Sequence, residues 1–344
     1  MTGHSGVCNW ALTYAERKTE MKYKFLLLVL ALGICHGVKA RITYELAEKG
    51  AMAKLEIKVV DQEGNIVPDA KIWGGFTSGS RLNDYVLVDG VTDTNGIYIA
   101  QGKCNEFLRF DVRKDGYYRS NIKINFWQSK ADPIVVDGKW QPYGETRTVV
   151  LKRIMNPHEM YNLDSPPQRK ISIYDKWLGF DLEKGDFLPP MGNGVESDML
   201  VRFHLAGEMP YDWSIRMDVS FTNYPYAGAY LVKKDVWSDM KSVYSADTNA
   251  LYLTDFSFRY AREKGSRRPI VEKLMDDEYL VFRTRTKVDH EGMLISARYG
   301  KLYGPWHFED AGGSQIYQVF LNKADNDVNL EDAWTIENAK KYKR

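Results

Sequence analysis

At 344 residues the chain is long enough for two ordinary domains with real cores. Hydrophobic content of 44% and charged content of 27% are those of soluble globular protein. Lys plus Arg (47) nearly cancels Asp plus Glu (46), which disfavours nucleic acid as a partner, because phosphate binding calls for a basic excess.

Residues 1–20 are polar and patternless and read as a non-native upstream extension, with Met21 as the expected start. Residues 21–40 have the layout of a signal peptide. Met21-Lys22-Tyr23-Lys24 is a basic n-region, 25–34 an apolar stretch, and Val38-Lys39-Ala40 a small-residue cleavage site. The ten apolar residues fall short of the roughly 20 that span a bilayer. The expectation is an exported protein without a transmembrane span: periplasmic, cell-surface or secreted. Leu32-Gly33-Ile34-Cys35 loosely resembles a lipobox, with Ile34 where a small residue is wanted, so lipid anchoring at Cys35 is the lesser alternative. Cleavage after Ala40 leaves a net charge of −2 and one cysteine, Cys104, so no intramolecular disulfide can form. Cys104 is expected to be a small, half-buried packing residue rather than a reactive thiol.

The stretch 54–126 holds three runs rich in β-branched and aromatic residues. They are cut at Gly64-Asn65, Asn95-Gly96 and Asp115-Gly116, pairs that tolerate the positive φ of tight turns. The segment 74–84, rich in Gly, Ser and Asn, reads as a long loop or crossover. Ile134-Val135-Val136, the turn Asp137-Gly138, and a last strand over 146–151 follow. Asp61-x-x-Gly64-x-x-Val67-Pro68-x-Ala70, with Gly90-x-Thr92-Asp93-x-x-Gly96-x-Tyr98 after it, resembles the carboxypeptidase regulatory-like domain. That resemblance implies a small prealbumin-like or Ig-like β-sandwich over 41–153, an accessory domain without catalysis.

Residues 154–167 contain Asn156-Pro157 and Pro166-Pro167 and read as a stiff linker. From 168 to 344 the pattern is β again. Alternation over 198–205, 212–221, 250–260, 279–288, 293–299 and 315–322 predicts a second sandwich or jelly roll, making the whole chain all-β. Helix is expected only at 236–243 and 329–341. Leu151 to Pro157, Gly179 to Phe187, and Asn322 with Asn329-Leu330-Glu331 resemble exported bacterial proteins that carry a C-terminal domain of no assigned function.

No His-Glu-x-x-His, Gly-x-Ser-x-Gly or phosphate-loop pattern is present, so no metal, cofactor or catalytic residue is assigned. His204 reads as a sheet histidine and His290-Glu291 as a solvated turn. Asp181, Glu183 and Asp186 read as a strand, turn and strand. Asp325-Asn326-Asp327-Val328-Asn329 lacks the glycine and the closing acid of a calcium loop, and reads as an Asx-rich turn before the last helix. What remains is aromatic. Trp213, Tyr224, Tyr226, Tyr230, Trp237 and Trp306, with His307 beside the last, are the candidate ligand-binding residues as a stacking platform, although cover for the sandwich end is the preferred reading of each, less strongly at Trp306.

The expected function is therefore non-enzymatic binding of a glycan or envelope protein. A carbohydrate-active hydrolase or lyase with acids in the C-terminal domain is the alternative. An envelope assembly module presenting a sheet edge is a further one.

Overall fold

A computed structural model describes residues 49–78, 85–126, 135–163, 169–208, 212–266, 270–272, 277–303, 306–308, 313–316 and 318–341. Residues 1–48, where the extension, the signal peptide and Cys35 are expected, and 164–167 of the expected linker lie outside the described residues. The architecture is almost all β, in several mostly antiparallel sheets, as the alternation predicts. Among the described residues, no helix is long and apolar enough to cross a membrane.

Two compact units result. Of the described residues, those up to 60, 65–112 and 121–149 form the first, and 61–64, 113–120 and 150–341 the second. The first nine strands are β1 (Ala51–Asp61), β2 (Lys71–Thr77), β3 (Tyr85–Val91), β4 (Ile97–Cys104), β5 (Phe107–Arg113), β6 (Ser120–Asn125), β7 (Val135–Val136), β8 (Lys139–Trp140) and β9 (Glu145–Leu151). One sheet runs β4-β1-β8-β7, with β9 also on β1, and the other β3-β2-β5-β6. Alternate residues of β1 (Leu55, Ile57 and Val59) point inward, as do Ile72, Phe76, Leu108 and Phe110 of the other sheet. The sheets pack face to face, and Gly102 of β4 is held against the ring of Phe76 so tightly that a Cβ would come within 2.6 Å of it. Gly64, Gly96 and Gly116 all take positive φ, as their turn-forming dipeptides require.

The second unit continues with β10 (Met160–Leu163), β11 (Arg169–Lys170), β12 (Leu178–Asp181), β13 (Asp186–Phe187), β14 (Met199–Glu208), β15 (Asp212–Ser220), β16 (Gly228–Lys233) and β17 (Asp255–Arg262). It ends with β18 (Ile270–Glu272), β19 (Glu278–Val288), β20 (Leu294–Leu302), β21 (Trp306–Phe308), β22 (Gly313–Ile316), β23 (Val319–Asn322) and a helix, α1 (Ala333–Lys341). A six-stranded sheet, β13-β12-β14-β15-β17-β18, faces a five-stranded one, β10-β23-β20-β19-β16. Val201, Phe203, Ile215, Met217 and Val219 meet Leu280, Phe282, Val319 and Leu321 in the main core. The five-stranded sheet is covered on its other face too. Tyr279, Val281, Tyr299, Tyr303 and Phe320 pack there with Leu330 and, from α1, Trp334. Burial on both faces explains why β23 opens with the apolar run Val319-Phe320-Leu321 instead of alternating.

Three expectations need correction. Residues 74–77 are strand, not loop, because Gly74 and Gly75 continue β2 in register with Val88 and Leu87. The linker reading of 154–167 gives way at Met160–Leu163, which pairs with β23. Residues 236–243 form turns rather than a helix. There the Asp235 carboxylate accepts the Trp237 and Ser238 amides, and the Lys152 ammonium takes the carbonyls of Met240 and Ser242. Tertiary partners thus take the backbone groups that a helix would pair internally.

Candidate functional site

A shallow concavity of aromatic character lies in the first unit, on the outer face of the β3-β2-β5-β6 sheet. Trp73, Gly74, Gly75, Tyr85, Leu87, Arg109 and Asp111 enclose a trough of about 290 Å³. Strand register builds it. Trp73 pairs with Asp89, Gly75 with Leu87 and Thr77 with Tyr85, so Trp73, Gly75, Tyr85 and Leu87 share one face. Gly75 leaves the middle of the face bare, and a Cβ there would come within 2.4 Å of the Val86 carbonyl. Trp73 is 44% exposed and Leu87 68% exposed, high values for large apolar side chains on a sheet. The Tyr85 ring stands edge-on to Phe107 at 6.1 Å, and the Lys123 ammonium lies 4.7 Å above that same ring. Apolar walls with Arg109 and Asp111 among the lining suit a flat ring that carries polar groups at its edge. The volume sits near the lower end of small-molecule sites, about 300–1,000 Å³.

The aromatic residues singled out from the sequence do not converge. Trp213 is only 2% exposed and packs on Tyr260 inside the main core, so it is a core side chain and not a contact residue; its parity on β15 puts it with Ile215 and Met217. The Tyr224 hydroxyl donates to the Glu196 carboxylate, and burial pushes that phenol well above its usual range. Tyr230 is half-buried against Tyr252 and accepts the Asp247 amide at 2.8 Å. Tyr226 (53% exposed) and Trp237 (48% exposed) do face solvent, on separate turns; Tyr226 takes a φ of 59° and donates to the Gly292 carbonyl. Trp306 and His307 lie in β21 opposite Ile316 and Gln315, and only their backbone is described. The trough went unseen because Gly74 and Gly75 read as loop. Its visible signal was Trp73-x-Gly75 facing Tyr85-x-Leu87, with apolar residues on the face that alternation leaves to solvent.

The acids of 181–198 are structural anchors. Asp181 accepts the amides of Glu183, Lys184, Val195 and Glu196. Burial alone would raise its carboxyl, but these four donors hold it below the usual carboxylate range. Asp186 accepts the amides of Phe187 and Asn193, and Glu183 is paired with Arg285 at 2.8 Å and Arg298 at 3.3 Å. His204, on the outer face of the six-stranded sheet, bridges Asp175 (2.6 Å from Nδ1) and Asp218 (2.9 Å from Nε2). Asp218 also accepts from Arg202 and Ser257, so this group cross-links strands. His290 and Glu291 cap the exposed turn that joins β19 to β20, and Asp325 is taken by Lys287, Ser296 and Arg298. Among the described residues no cluster of His, Cys, Asp and Glu could hold a metal ion.

No family model matches the chain, and no curated protein does. Similar solved structures include 3-chlorocatechol 1,2-dioxygenase from Rhodococcus opacus 1CP, at 14% identity and TM-score 0.25 over 31% of this chain and 62% of that one. Catechol 1,2-dioxygenase from Acinetobacter radioresistens matches at 17% identity and TM-score 0.23 over 31% of this chain and 53% of that one. Chlorocatechol 1,2-dioxygenase from Pseudomonas putida matches at 16% and 0.25, over 30% and 61%. The matched part spans less than two thirds of those enzymes, and likeness at this level carries nothing about activity.

Proposed function

We propose that this is an exported, non-enzymatic binding protein of the cell envelope that grips one ring of a glycan in the trough of its first unit. The observation that carries the reading is the grouping of Trp73, Tyr85 and Leu87 around a floor without side chains, with Arg109 and Asp111 alongside. Aromatic and aliphatic walls stack on the apolar face of a sugar ring, and charged groups at the edge accept or donate to its hydroxyls. A soluble β-rich chain with a leader of signal-peptide composition would meet such ligands outside the cytoplasm. The second unit then serves as the larger, stably packed body of the protein.

The test is a glycan-binding screen on the chain from Arg41, with every hit incubated and checked for cleavage products. Binding without cleavage, lost in Trp73→Ala, supports the reading. Cleavage of a bound glycan overturns its non-enzymatic part. Binding that survives Trp73→Ala and Leu87→Asp overturns the site.

A further inference from the structure

The five-stranded sheet of the second unit buries a lysine. The Lys301 side chain is 0% exposed and projects from β20 on the face that carries Tyr299 and Tyr303. Its Nζ lies 4.9 Å from the centre of the Phe320 ring and 5.2 Å from that of Tyr303. All three ammonium donors are used: Nζ donates to Ser242 Oγ at 3.2 Å, to the Leu330 carbonyl, and to Asp332 Oδ2 at 2.7 Å. Asp332 is also buried, with its side chain 3% exposed. Its second oxygen, Oδ1, accepts the Thr335 amide at 2.7 Å as the N-cap of α1.

As a mere ion pair this arrangement gains the fold little, because desolvation of both charges offsets their attraction and apolar residues of similar size would serve as well. It does satisfy what amide formation between two side chains requires. We propose that Lys301 and Asp332 become joined by an intramolecular isopeptide bond, formed by the folded chain from the groups held at this contact.

The step balances without any co-reactant. Lysine Nζ forms a bond to Asp332 Cγ, the Cγ–Oδ2 bond breaks, and Oδ2 leaves as water with two protons from the ammonium. Nζ already touches the oxygen that departs, so its approach to Cγ is one bond length behind an existing contact. Oδ1 remains as the amide oxygen, and the Thr335 amide that it accepts polarises the carbonyl during attack while keeping the helix cap in place. Attack needs the Nζ lone pair, and the apolar, aromatic surroundings weaken the hold of the ammonium on its proton. Burial pushes the Lys301 ammonium below the usual lysine range, with Asp332 acting in the opposite direction. Holding the two groups in one geometry supplies the entropy that a bimolecular condensation lacks, equivalent to an effective molarity of up to about 10⁵–10⁸ M. The product removes both charges from the core, and the bond joins β20 to the start of α1 across a sequence separation of 31.

The experiment is a tryptic digest of the purified full chain under denaturing, reducing conditions, read by tandem mass spectrometry. The expected result is that trypsin does not cut after Lys301. Peptide 299–323 is then recovered joined to peptide 324–340, in a species lighter by one water than the two together. Free peptide 299–301 with an unlinked 324–340, from protein incubated for days in the folded state, overturns the proposal. Lys301→Arg keeps the charge but is expected to give only unlinked peptides. Asp332→Asn, which would release ammonia instead, is expected to give the same linked product as the parent chain. A linked species that persists in Lys301→Arg would place the cross-link elsewhere and overturn the assignment.

Discussion

Arg285 grips Asp198 with two parallel hydrogen bonds, Nε to Oδ1 at 2.8 Å and Nη2 to Oδ2 at 2.9 Å. Asp198 has no exposed side-chain surface and also accepts the Leu182 amide and the Thr284 hydroxyl. Arg285 reaches it because β19 breaks register between Thr284 and Lys287, where Arg285 itself takes a φ of 49°. The irregularity turns toward the pair a side chain that regular pleating would have placed otherwise. Arg285→Met leaves a buried carboxylate without its cation and should cost about 3–5 kcal/mol. A chemical-denaturation midpoint close to that of the parent chain would refute this.

Asp325 illustrates a weaker, pH-dependent contribution. Hydrogen bonds from Lys287 and Arg298 hold its carboxyl at about 2, below the ordinary 3.8. The ionised form is the one that the fold favours. Its contribution is therefore fully present above pH 3.8 and lost as the pH falls through about 2. The side chain is 36% exposed, so solvent screening limits the effect to about 0.5–1 kcal/mol. Asp325→Asn should lower the urea midpoint at pH 7 and show a smaller deficit relative to the parent at pH 2, where the parent carboxyl is about half protonated. An equal deficit at both pH values would contradict the pairing.

For the trough, Trp73→Ala should weaken glycan binding by about tenfold or more, the scale of a stacked aromatic anchor at roughly 1.5–3 kcal/mol. Leu87, on the edge strand and largely exposed, can change to Asp with a stability shift within about 0.5 kcal/mol, typical of surface sites. Titration calorimetry and a thermal melt on the same samples separate the two effects.

Gly300 stands where sheet and core close on each other. A Cβ there would come within 2.3 Å of the Phe282 ring and 2.4 Å of the Phe320 carbonyl. Gly300→Ala is expected to destabilise by about 1–3 kcal/mol through overpacking, measured as a lowered midpoint with unchanged denaturant slope. An unaltered midpoint would mean that the neighbouring strands β19 and β23 yield there.

Cys104 is fully buried, donates to the Phe107 carbonyl at 3.1 Å, and lies 3.7 Å from the Thr77 hydroxyl. Burial pushes its thiol above the usual range, so thiolate is scarce and access closed. In native buffer a thiol reagent should label it only at the rate of unfolding, and at once in denaturant. Rapid native labelling would show an opening of the β4–β5 turn.

Much of this protein is legible in its sequence. Alternation through most of β1, β14 and β15, and turn pairs such as Asn95-Gly96, fix an all-β chain, since a side-chain period of two buries one face whatever lies opposite. The final helix is legible as well, although it starts at Ala333 rather than at 329, and Asp332, expected within it, is its cap.

What lay hidden depends on neighbours remote in sequence. Apolar runs such as β23 do not say which two layers cover them, so the burial of Lys301 among tyrosines appears only once α1 and the segment before it lie across the sheet. Trp213 and Trp73 are equally aromatic in sequence. One is core because the five-stranded sheet covers its face, and the other is open because no described layer covers β2 and β3 there. Local propensity sets the strands and turns, a matter of φ, ψ and side-chain parity. Only the stacking of layers decides which aromatic, acid or lysine meets water, because burial belongs to the pair of surfaces and not to either alone.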